Sequence, residues 1–254
     1  MSRISLVLAT VLVLLMAAPP ADASEPWKDK LVAAMADPSR PAADRARDDN
    51  RLPLETLEFF RFRDDMKVLE LFPGSGWYTR LLAPVLAERG TLYLALGAGR
   101  AGRLIEETPA LQSAEILDVG AELEATDQEG VYSLGPVSFW QDDLDLVLTF
   151  RNLHNLDAVG RGNLNDAVFE ALRPGGLYGV VDHTRRHMEP GAAANRRRVD
   201  PVAAIGETLR SGFEFIGYSD LHYRPADDLS LEVGDERVSG RTDRFTLLFR
   251  KPSE

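Results

Sequence analysis

The chain has 254 residues, a formal net charge of −11 at pH 7 and no cysteine. Such acidity excludes general binding to nucleic acid or to anionic membranes, which draw basic surfaces by long-range attraction. The missing thiols exclude disulfides and thiolate metal sites.

Arg3 is followed by the largely apolar run Ile4 to Ala18, then Pro19, Pro20 and Ala21-Asp22-Ala23. A basic residue, a short apolar run and small residues make the pattern of a secretory signal peptide, with cleavage expected after Ala23. The run falls short of the ~20 residues that a bilayer span needs, so no stable membrane span is expected after cleavage. A periplasmic or secreted location follows. Residues 1–23 are thus read as the signal peptide, 24–65 as an N-terminal helical extension and 66–254 as the main domain. The partner expected is a small-molecule substrate; nothing in the sequence fixes the number of subunits.

In the extension, Trp27, Leu31, Val32 and Met35 stand at i, i+4, i+5 and i+8 and predict a helix, broken by Pro-Ser-Arg-Pro at 38–41. Pro53 opens another, Leu54 to Arg61, with Leu54, Leu57, Phe59 and Phe60 as its apolar positions. The charged string at 47–51 reads as a solvated turn, with a lid over a pocket as its functional alternative.

The stretch Met66 to Thr79, MKVLELFPGSGWYT, carries the strongest signal. Val68, Leu69, Leu71 and Phe72 suit a buried parallel strand, and Pro73-Gly74-Ser75-Gly76 then breaks the chain before a helix. Such a turn presents backbone N–H groups at the strand's carboxyl end, where a ligand can bind. A dinucleotide fingerprint would place a third glycine at 79, where Thr79 stands. The helix stripe Trp77, Leu81, Leu82 and Val85 ends near Gly90, and Thr91 to Leu96 is a second strand. Trp77 and Tyr78 are candidates for stacking on a ligand or for core packing.

Glu115 to Val119 is read as a third strand, and Gly120 to Gly130 as an acidic loop. Asp145 to Phe150 is an apolar strand running into Arg151-Asn152-Leu153-His154-Asn155-Leu156, polar groups placed to face a crevice. A helix, Asp157 to Leu172, leads to the turn Leu172-Arg173-Pro174-Gly175-Gly176, a strand Leu177 to Val181, and Asp182-His183. Beyond them come a helix Val202 to Leu209, a strand entered through Ser211-Gly212-Phe213, a polar insertion Tyr218 to Arg241, and a last strand Asp243 to Lys251.

Glu70 to Gly76 resembles the first motif of class I S-adenosylmethionine-dependent methyltransferases, with Phe72, Gly74 and Gly76 at its three glycine places. The Leu-Arg-Pro-Gly-Gly turn before a strand is a second resemblance. Together with T-F-R-N-L-H-N-L and D-R-F-T, the chain resembles a poorly characterised branch of exported, predicted bacterial methyltransferases. The resemblance implies an α/β, Rossmann-like, doubly wound, seven-stranded sheet with its last strand antiparallel and an N-terminal helical extension. It also implies S-adenosyl-L-methionine as cofactor and a small-molecule or envelope acceptor. By the same resemblance Glu70, Phe72, Gly74, Ser75, Gly76, Trp77, Arg151 and Asn152 are expected to bind the cofactor. Asn152, His154, Asp182 and His183 are expected at the catalytic centre, with His154 the favoured base because its ordinary pKa lies near neutrality.

One departure stands out. The family usually ends its second strand with an acidic residue that holds the ribose; here Leu96 occupies that place, with Glu106, Glu107 or Asp118 as candidate replacements. This keeps a second class open, a non-catalytic or degenerate methyltransferase-fold ligand-binding protein of the periplasm. His183 and His187 are spaced to share a metal on a helical face, but Arg185 and Arg186 between them disfavour a cation, and no metal is expected. Arg185, Arg186 and Arg196 to Arg198 read as a solvated basic face, with a subsite for an acidic acceptor as the alternative.

Overall fold

The computed structural model describes residues 26–253; the expected leader lies outside the described residues. Helix α1 (Pro26–Ala36) buries Trp27, Leu31 and Ala34. Val32, expected in that stripe, is 53% exposed, because the next residue points about 100° round the helix from Leu31. Short helices α2 (Ala42–Arg45) and α3 (Asp48–Arg51) lead to α4 (Pro53–Phe59), which starts on a proline whose missing N–H is no loss in the first turn. The string at 47–51 is therefore helical and tied down rather than a solvated turn. Arg51 is buried, the Asn50 carbonyl accepts from Arg244, and the Asn50 carboxamide donates to the Gly240 carbonyl.

Strand β1 (Lys67–Leu71), helix α5 (Thr79–Leu86), strand β2 (Thr91–Ala95), helix α6 (Gly99–Glu107) and strand β3 (Ala114–Ile116) follow as alternating β and α elements. The expected loop after β3 instead contains β4 (Leu123–Ala125), which pairs antiparallel with β5 (Tyr132–Leu134). Strands of three residues carry too little alternation to be seen in the sequence. Strand β6 (Leu144–Phe150) leads to α7 (Ala158–Ala171), capped by the Asp157 carboxylate, which accepts from the Gly160 amide at 2.6 Å. Strand β7 (Leu172–His183) starts earlier than expected. Leu172 already pairs Leu144, and the Arg-Pro-Gly-Gly segment then bulges out of the ladder, with Gly175 at φ +78°, before pairing resumes at Leu177 with Leu146. Helix α8 (Pro201–Arg210), capped by Asp200, precedes β8 (Glu214–Ser219) and β9 (Arg244–Arg250). The connection between these last strands is a long irregular insertion, as its polar composition predicts.

Seven strands form one sheet in the order β3-β2-β1-β6-β7-β9-β8, and β9 runs antiparallel to both its neighbours. The other pairings are parallel. The order reverses between β1 and β6, and ligands of open α/β sheets bind in the crevice outside the carboxyl ends of the strands at such a point.

Alternate residues feed two cores. Val68 of β1 and Leu146 and Leu148 of β6 pack with Trp27, Leu57, Phe60 and Leu82 on one face. Leu69, Leu71 and Val147 pack with Leu164, Val168 and Phe249 on the other. The N-terminal helices therefore share a core with the sheet. Among the described residues, no helix is long and apolar enough to cross a membrane.

Candidate functional site

The turn after β1 is built on left-handed backbone. Phe72 at φ +51°, Gly74 at φ +59° and Gly76 at φ +78° reverse the chain, while the Phe72 amide still donates to the Ala95 carbonyl at 2.9 Å. A Cβ on Gly74 would meet nothing within 4 Å, so this edge of the turn is open; one on Gly76 would lie 2.4 Å from Leu104 Cδ2, so α6 packs directly on the turn. Ser75 is exposed, and its carbonyl accepts from Arg80 Nη1 at 2.8 Å.

Trp77 turns away from the crevice. Its indole N–H donates to the Asp44 carbonyl at 3.0 Å, and the Arg51 guanidinium lies 4.3 Å from its ring centre. The expected cofactor contact from Trp77 is therefore corrected to packing against the N-terminal helices. Tyr78 is likewise buried, stacked on Phe150 with centroids 3.5 Å apart.

Glu70 is buried beneath the turn, where its carboxylate accepts from Thr79 Oγ1 at 2.7 Å and so joins β1 to α5. Burial pushes its pKa up to about 7, against the pull of Arg51. In the unfolded chain this proton leaves at the ordinary carboxyl pKa, so ionised Glu70 destabilises the fold progressively as pH rises from that value to about 7. Glu70→Gln keeps an oxygen for Thr79 and removes the charge. The variant is expected to melt above the parent at pH 8, by up to about 3 kcal/mol in stability. That gain should vanish near pH 4.5, and thermal melts at both pH values check it; an equal gain at both would exclude burial of the charge as its cause.

At the end of β2, Leu96 sits at φ +60° with an apolar, buried side chain. Glu106, Glu107 and Asp118 are all exposed, and Asp118 folds back on the Gly120 amide at 3.4 Å. Across the switch point, Asn152 Nδ2 donates to the Phe150 carbonyl at 3.1 Å and the Leu71 carbonyl at 3.4 Å, so one side chain clasps the ends of β1 and β6. Phe72 and Asn152 line a cavity of about 460 Å³ closed on its far side by Leu123, Gly130 and Tyr132 from the unpredicted hairpin.

The register that sets Phe150 beside Val181 brings the segments after β6 and at the end of β7 together. There Asp182, fully buried, receives three donors. His154 Nδ1 lies 2.5 Å from Oδ1, the His154 amide donates to Oδ2 at 3.2 Å, and the His183 amide donates to Oδ1 at 2.7 Å. An ionised carboxylate only accepts, so the proton of His154 sits on Nδ1 and its Nε2 carries the free lone pair. No protein group among the described residues bonds to that Nε2. The imidazole separates two cavities of about 330 and 360 Å³.

His183 pairs through Nδ1 with Thr242 Oγ1 at 2.8 Å; burial and the positive groups around it hold its pKa well below the ordinary value, so it is neutral. His154, Asp182 and His183 offer ligand atoms within 4.8 Å of one another, but Arg151, Arg198 and Arg244 around them oppose a cation. The pairing of His183 with His187 does not form. The strand ends at His183, and His187 Nδ1 bonds Asp200 at 2.9 Å.

The basic residues near 196 are also not one solvated face. Arg198 is fully buried on Asp227, Arg197 pairs with Glu232, and Arg196 reaches Glu129. These contacts tie the segment after β7 to the insertion and to the hairpin. Arg51 and Arg244, which no spacing pattern marked, come to rest beside Arg151; their traces in the sequence are the charged string at 47–51 and the D-R-F-T string.

No family model and no curated protein sequence matches the chain. Among solved structures it is similar to a SAM-dependent methyltransferase from Aquifex aeolicus, at 14% identity over 88% of this chain and 97% of that one, with a TM-score of 0.55. The fold is the Rossmann-like methyltransferase fold. A second similar structure is the [4+2]-cyclase SpnF, at 14% identity over 89% and 94% of the two chains, also with a TM-score of 0.55. A third is the methyltransferase SibL in its apo form, at 15% identity over 80% and 54%, with a TM-score of 0.51. One of the three is named for a cyclisation, so the methyltransferase fold does not by itself name a reaction.

Proposed function

We propose that the protein is an S-adenosylmethionine-dependent methyltransferase acting on a small molecule or an envelope component, with His154 as general base. The observation that carries this is the buried Asp182–His154 pair, whose imidazole lines two cavities beyond the carboxyl end of β6 in a methyltransferase fold.

The residues at the end of β1 suit the amino-acid half of the cofactor. Gly74 and Gly76 hold a left-handed turn, the Gly74 edge is open, and Glu70, one residue before the end of the strand, lies below it. Phe72 and Asn152 would wall the rest. When bound, this cofactor supplies an electrophilic methyl group on a sulfonium.

The chain's own residues then have three tasks. The cavity walls orient the acceptor and exclude water. Asp182 holds the Nδ1–H tautomer of His154, so that Nε2 takes the proton from an acceptor hydroxyl or amine. The same carboxylate stabilises the imidazolium that results.

A second reading is a binding protein that has kept the fold and lost the chemistry. Leu96 in place of a carboxylate and the bulky Phe72 where the family has glycine favour it. Calorimetric titration with S-adenosylmethionine and its demethylated product separates the two. Saturable binding is expected under the enzymatic reading, and silence at millimolar ligand leaves the binding protein. Export, proposed on the apolar leader alone, fits either reading and is checked by fractionating cells that express the full chain.

A further inference from the structure

The cavity of about 360 Å³ beside His154 is lined by Arg151 and Arg244 together with His183. Arg151 has no side-chain hydrogen bond or ion pair among the described residues, and the same holds for Arg51 close by. Arg244 is buried; its Nη1 reaches the Asn50 carbonyl at 3.1 Å, and its Nε has no partner.

Elsewhere in this protein buried guanidiniums are neutralised. Arg40 is paired with Asp48, and Arg198 with Asp227. Burying a guanidinium without a counterion is unfavourable, and setting three side by side adds repulsion. That repulsion is visible here. Burial first and then the charge of Arg151 lower the pKa of Arg51 to about 9 and that of Arg244 to about 10. Of the carboxyl groups nearby, Asp182 is already engaged by His154 and His183, and Glu70, which faces Arg51 alone of the three, is bonded by Thr79 and held by burial at a pKa of about 7. The Tyr78 hydroxyl, its pKa raised to about 12 by burial, adds no negative charge.

We propose that this cavity binds the carboxylate or phosphate group of a small molecule, gripped by Arg151 and Arg244 and set against His154. A guanidinium fork matches both oxyanions with paired N–H donors. The volume is that of a small-molecule site, and the lining is polar rather than apolar. Assigning this group to the methyl acceptor rests on the methyltransferase reading; the anion site itself does not. The substrate class is then a small acid or phosphate ester whose anionic end lies in the arginine cavity and whose hydroxyl or amine meets Nε2.

The test is calorimetric titration of the purified protein with inorganic phosphate and with acetate at constant ionic strength, beside a separate titration with S-adenosylhomocysteine. One saturable site for at least one anion is expected, and the stronger of the two names the oxyanion. Arg151→Gln, at the less buried of the two positions, is expected to weaken that binding about tenfold. Without the anion, the same variant is expected to melt above the parent, because a repulsive charge is gone. A merely structural Arg151 would give a lower melting temperature instead.

No saturable heat from either anion, or unchanged affinity in Arg151→Gln, overturns the anion site. Competition between phosphate and S-adenosylhomocysteine overturns its assignment to the acceptor, since the arginines would then hold the cofactor's own carboxylate. Anion binding with no response to S-adenosylhomocysteine supports the site while overturning the methyltransferase reading.

Discussion

Asp182→Asn is expected to lower both stability and turnover, and by more than its single-atom change suggests. Three N–H donors converge on this carboxylate from His154 and His183. A carboxamide offers one accepting oxygen; its NH₂ end must face at least one N–H, leaving two buried donors in opposition. A buried donor left without an acceptor costs about 1–3 kcal/mol, and a charge-assisted bond is worth about 1.5–3 kcal/mol. The combined loss is about 3–5 kcal/mol, or roughly 10 °C in Tm for a chain of this size.

Turnover should fall by about 10²–10⁴-fold, because the substitution no longer fixes the tautomer that leaves Nε2 free. His154→Ala is the companion variant. It removes the base while leaving the carboxylate and both backbone amides in place, so its turnover should fall as far with a smaller loss of Tm. Scanning calorimetry and a methyl-release assay check the pair. A fully active Asp182→Asn would exclude the dyad from the mechanism.

The parts of this fold that could be read in advance are those whose signal is local. Val68 to Leu71 and Leu146 to Phe150 are apolar because parallel strands are covered on both faces, and Pro73, Gly74 and Gly76 mark a turn whose left-handed backbone the structure contains. Asp157 and Asp200, one residue before their helices, cap them by direct bonds to backbone amides, a local signal that the helix bounds expected from the sequence do not use. What escaped depends on distant chain. The hairpin of β4 and β5 has strands too short to show a period, yet it supplies a wall of the cavity of about 460 Å³ beside Phe72 and Asn152.

The segment at 47–51 looked solvated because its residues are charged. Arg51 is nonetheless buried on Trp77, which in turn keeps Trp77 out of the crevice. Among the site residues, Asp182 and His154 were both named, but as separate parts; their 2.5 Å contact follows from strand register rather than from spacing in the sequence. Arg51, Arg151 and Arg244 are gathered from three separate segments, and composition cannot reveal that none of them has an ion-pair partner among the described residues.

Phe60→Ala is expected to destabilise the protein by about 3–5 kcal/mol, the usual range for a fully buried phenylalanine. The ring sits just past the end of α4 with no solvent exposure, 6.3 Å from the Phe150 centroid. It also lies flush on β7, where a Cβ on Gly179 would approach its Cγ and Cδ2 to 2.8 Å. This glycine is thus required for close approach, and Gly179→Ala alone should cost about 1–3 kcal/mol by overpacking.

The two substitutions together should cost less than their sum. Removing the ring relieves the Phe60 side of the clash, leaving Leu148 Cδ2 at 2.9 Å from the new methyl, and directly packed residues couple by about 0.5–3 kcal/mol. Urea unfolding of the parent, both single variants and the double variant measures that coupling. Because α3, directly before α4, carries the Asn50 carbonyl that holds Arg244, the double variant should also recover part of any phosphate affinity lost in Phe60→Ala. Strict additivity would mean that the ring and the glycine do not touch, and with that the seating of the helical extension on the sheet would fail.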